Sequence, residues 1–131
     1  MKLCSFNVGE INRIGVLMSN GQVADCNYAY AAYQKAKGAP RAQQLADVVV
    51  PSEMVPMIEC GEHGKAELRL AMEYVEQHLD ATGPCGERIL YNCEDIHFRA
   101  PVPNPEKIFS MAFNNKFEFE RCIKPEGPAH P

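Results

Sequence analysis

This chain has no concentration of positive charge. Its 13 basic residues are scattered among 17 acidic ones, for a formal net charge of −4. Phosphate backbones bind concentrated basic patches, so nucleic acid is not an expected partner. Net acidity also disfavours an anionic membrane surface. The chain has no long apolar run near its start either. Met1-Lys2 is followed by a few apolar residues and then by Asn7, Glu10 and Asn12. That is neither the apolar region of a signal peptide nor a membrane span. A cytoplasmic protein with no membrane partner is expected. Internal repeats and low-complexity tracts are missing as well.

Paired cysteine spacing is a further absence. Cys4, Cys26, Cys60, Cys85, Cys93 and Cys122 include no C-x-x-C pair. With no secretory context, a disulfide framework is not expected. All six are read as reduced thiols, most of them packed as small apolar side chains. Cys85, Cys93 and His97 are the sharpest metal-ligand grouping, but their spacing matches no common zinc pattern.

What is present suits a folded domain. The apolar fraction is 46% over 131 residues, close to the globular average and long enough for a core. Leu3-Cys4-Ser5-Phe6 is a short β-compatible run. Arg13 to Met18 and Gln22 to Cys26 flank Ser19-Asn20-Gly21, which predicts a hairpin over 13–26. Asn-Gly suits a type I′ turn, with positive φ at both central residues. Residues 28–37, rich in Ala and Tyr and followed by Gly38 and Pro40, predict a helix. Tyr28, Tyr30 and Tyr33 on it are read as packing residues rather than an aromatic binding surface. A second helix is expected over 41–49. A short third one is expected over 53–60, capped by Ser52 and limited by Pro56. Gly61 and Gly64 read as punctuation. The clearest helix is 65–79, where Leu68, Met72, Val75 and Leu79 form one apolar stripe.

Residues 82–86 (Thr-Gly-Pro-Cys-Gly) form a break. Residues 1–83 are therefore expected to be a small α+β domain with a β-hairpin and helices. Residues 84–106 read as a Pro/Gly-containing linker with short strands at 88–91 and 96–98. Pro101, Pro103 and Pro105 keep the end of that linker out of a sheet interior. Residues 107–113 read as a buried-type strand, apolar on both faces and so in need of cover on both. Residues 107–131 together are expected to begin a second, β-rich domain that is incomplete here.

The run Ala100-Pro101-Val102-Pro103-Asn104-Pro105-Glu106-Lys107-Ile108-Phe109, with the apolar residues and Asn114 after it, resembles the linker and first catalytic strand of the fumarylacetoacetate hydrolase family. The layout of a small domain before that linker is similar too. The resemblance implies an α+β amino-terminal domain leading into a β-rich catalytic domain. It implies a metal-dependent enzyme acting on a β-diketone or 2-keto acid by C–C hydrolysis, decarboxylation or isomerisation. A divalent cation, Mg or Mn, would chelate adjacent substrate oxygens and stabilise an enolate. The family's metal ligands lie downstream, so none is expected in these 131 residues. The implied partners are a small keto-acid substrate and a homodimer mate or second chain that completes the catalytic domain. Asn114 and Lys116 are implied to be substrate-binding. Glu118 and Arg121 stand where the hydrolases carry their water-activating His and Glu, which makes them the catalytic candidates and also marks a departure from the family pattern. The alternative reading is a non-catalytic partner subunit of such a complex.

Overall fold

The computed structural model describes residues 1–111 and Lys116. The fold is α+β. Five strands form one antiparallel sheet in the order β4-β3-β2-β1-β5. They are β1 (Leu3–Val8), β2 (Ile11–Leu17), β3 (Val23–Asp25), β4 (Leu90–Tyr91) and β5 (His97–Phe98). Between β3 and β4 come four helices: α1 (Cys26–Ala36), α2 (Ala42–Val49), α3 (Met54–Glu59) and α4 (Gly61–Gln77). No helix among the described residues is long and apolar enough to cross a membrane.

β1 and β2 pair from Leu3↔Val16 to Val8↔Ile11, leaving a two-residue loop at Gly9-Glu10. Gly9 has φ +59°, and glycine first in a two-residue loop is the pattern of a type II′ turn. The expected second hairpin forms as β2–β3, with Leu17 opposite Val23. Its turn differs from expectation. Gly21 has φ +83° but Asn20 does not have positive φ. The Gly21 amide donates to the Met18 carbonyl and the Met18 amide to the Gln22 carbonyl, at 3.1 and 2.9 Å. This is a three-residue loop closed by a left-handed glycine rather than a type I′ turn. The Asn20 side chain accepts from the Gln22 amide at 2.9 Å, which holds Asn20 without a left-handed backbone.

Strand alternation sends side chains into two apolar clusters. Ile14, Val16 and Ala24 face the helices and meet Ala29, Ala32, Ala46, Leu68, Met72 and Val75. Phe6 and Val23 face the other way and meet Tyr91 and Ile96. Gly15 lies between these demands. A Cβ there would run into the Val23 side chain and come within 2.9 Å of Phe6, so glycine is what lets the second cluster close over β2.

α1 begins two residues earlier than expected because Asp25, the last residue of β3, is its N-cap and accepts from the Tyr28 amide. It ends in a glycine motif. The Gly38 amide donates to Lys35 and the Ala39 amide to Gln34, with Gly38 at φ +79°, a Schellman arrangement. α3 starts after Glu53, and neither Ser52 nor Glu53 supplies a side-chain cap bond. α4 starts at Gly61 rather than 65. Gly64 is not punctuation, because a Cβ on it would lie 2.6 Å from that of Cys60 and 3.0 Å from the Val49 carbonyl. Its bareness lets α4 close against the end of α2. Leu68, Met72 and Val75 are buried as the stripe predicts, but Leu79 lies beyond the helix and is exposed.

After the turn at 82–86, the chain supplies its two short strands to the same sheet. β4 pairs with β3 and β5 with β1, and the Asp25 amide donates to the Ile89 carbonyl at 2.9 Å. The proline-containing segment is tied down rather than loose. The Arg99 amide donates to the Ser5 carbonyl at 2.8 Å. The Ser5 hydroxyl donates to the Pro101 carbonyl at 2.7 Å, and Val102 packs on the main core. The expected buried strand is not found at 107–111. These residues form no strand, and Ile108 and Phe109 are 83% and 88% exposed. No strand of the described sheet pairs with their backbone, so that sheet offers no ladder for a strand here. Ala112 and Phe113 lie outside the described residues.

Candidate functional site

Of the substrate-binding and catalytic candidates from sequence, only Lys116 is among the described residues. Lys116 is helical and exposed. Asn114, Glu118 and Arg121 lie outside the described residues, as does Cys122. No group of three His, Cys, Asp or Glu residues comes together as a metal site among the described residues. Cys85 and Cys93 are separate exposed free thiols, and Cys26 is a buried one.

The polar cluster that does form was not singled out from sequence. Arg13 on β2 lays its guanidinium on Asp25, with Nε 2.6 Å from Oδ2 and Nη2 2.8 Å from Oδ1. The arginine side chain is 11% exposed and the aspartate 0%. The same carboxylate takes the Tyr28 amide at 2.9 Å, and the guanidinium carbon sits 3.9 Å from the Tyr28 ring centroid. Asp25 is thus both helix cap and counter-ion. Burial pushes its carboxyl up, against the opposing pull of Arg13 and of the Tyr28 and Asn27 amides. Burial works against the Arg13 charge, yet the bonds to Asp25 hold its pKa above the ordinary value. A group so pinned is preorganised, not catalytic by itself. The signal for it was the predicted hairpin, which brings position 13 near position 25 and sets opposite charges across adjacent strands.

Arg13 also lines a small cavity, of about 60 Å³, between the β1–β2 strands, the start of α3 and the segment after β5. Phe6, Met54 and Pro103 give it apolar walls, and Glu53 and Arg99 add charge. Arg99, on the segment after β5, reaches Asn12 Oδ1 at 3.5 Å, and both residues line the cavity.

Elsewhere, Asn27 binds the Val50 carbonyl at 3.0 Å and Asp47 at 3.2 Å, tying α1 to α2. Tyr30 donates to Glu67 at 3.0 Å, tying α1 to α4. These contacts build the scaffold.

Comparison with protein-family models, curated proteins and solved structures returns no match for this chain.

Proposed function

We propose that this chain is the amino-terminal module of a fumarylacetoacetate-hydrolase-like, metal-dependent enzyme acting on β-diketo or 2-keto acids. The observation that carries the reading is the 100–109 run, Ala-Pro-Val-Pro-Asn-Pro-Glu-Lys-Ile-Phe. Its surroundings support it. Ser5 latches the proline segment to β1, so the chain leaves the module in a fixed direction. Beyond the latch it presents Ile108, Phe109 and Met111 to solvent, apolar side chains that a downstream region or a second chain would cover.

On this reading the module positions the catalytic region, and the Mg or Mn ligands come from that region or a second chain. The cation would supply the electrophile that stabilises an enolate. Asn114 and Lys116 would contact substrate. Glu118 would act as base in place of the family's histidine, beside Arg121. An unperturbed glutamate is a weak base at neutral pH, so this role requires burial in the completed site.

The test is turnover of acylpyruvates and oxaloacetate with added Mg²⁺ or Mn²⁺. The 131-residue chain alone should be inactive, and a complex or longer form containing it should be active. In the active form Glu118→Gln should lower kcat by about 10²–10⁴-fold if Glu118 is the general base. Near-wild-type turnover in Glu118→Gln would remove that role and favour a metal-driven decarboxylation. Inactivity of every longer form on both substrate classes would overturn the family reading.

A further inference from the structure

We draw no further inference here: the strongest candidate, the open groove between the end of β2 and α4 whose apolar walls are Met1, Leu17, Met18 and Met72, is a surface for which nothing among the described residues shows what covers it.

Discussion

Arg13 and Asp25 form a two-point ion pair inside the module, at 2.6 and 2.8 Å, and Asp25 at the same time caps α1. One carboxylate therefore joins the β2–β3 hairpin to the first helix. Breaking such a pair leaves a buried charge without a partner, at a cost of about 3–5 kcal/mol. Asp25→Asn keeps an oxygen for the cap but strands the Arg13 charge, so urea unfolding should show most of that loss. The double variant Arg13→Met/Asp25→Leu should be less destabilised than the sum of the single changes, because no lone charge remains. Strict additivity would mean the two side chains do not act as a pair.

Gly21 carries the left-handed residue of the β2–β3 loop. Gly21→Val should cost about 1–2 kcal/mol, the penalty of a left-handed backbone for an L-residue, and lower the melting temperature. Asn20→Ala should cost less, since Asn20 contributes only its side-chain bonds. An unchanged melting temperature in Gly21→Val would contradict the observed loop.

The hairpin also shows what the sequence made legible. Local signals, such as Asn-Gly between apolar runs, the alanine-rich helix before Gly38 and the Leu68/Met72/Val75 stripe, located most elements because each is a short-range preference. Two features, Gly64 and the Ser5 latch, were hidden because they depend on contacts distant in sequence, and a third, the first turn, by the polar residues around it. Gly64 reads as a breaker until Val49 and Cys60 are seen against it. The Gly9-Glu10 turn is masked by polar Asn7 and Asn12 in the strands it joins. The latch from Ser5 to Pro101 spans 96 positions. For the candidate site, the sequence pointed to 114–121, whereas the Arg13 cluster is legible only through the hairpin register.

The thiols should separate by burial. Cys85 and Cys93 are exposed and should react first with a thiol reagent in the native protein. Burial pushes the Cys26 thiol pKa well up, reinforced by the nearby Asp25 charge, so it should react only on unfolding. Alkylation in denaturant without reductant should modify all six cysteines. A protected pair would contradict the reduced state, and rapid native labelling of Cys26 would contradict the packing of α1.

Tyr30 sets a limit at high pH. Burial, and then its bond to the Glu67 carboxylate, push its phenol up to about 12. The folded value lies above the ordinary one near 10. The neutral phenol's contribution is therefore fully present below about pH 10 and lost as pH rises through about 12. Melting temperatures across that window should fall more steeply for the wild type than for Tyr30→Phe. Equal slopes would show that Tyr30 is not the group responsible.

On the proposed reading, the apolar segment Ile108–Met111, exposed here, gains a strand's partners only from elsewhere in a larger assembly. Hydrogen exchange on the isolated 131-residue chain tests it most directly. The amides of the β1–β2 ladder should be strongly protected, while those of Ile108, Phe109 and Met111 should exchange at close to the rate of an unstructured peptide. A monodisperse monomer in which those three amides are protected as well as the β1–β2 ladder would contradict the account.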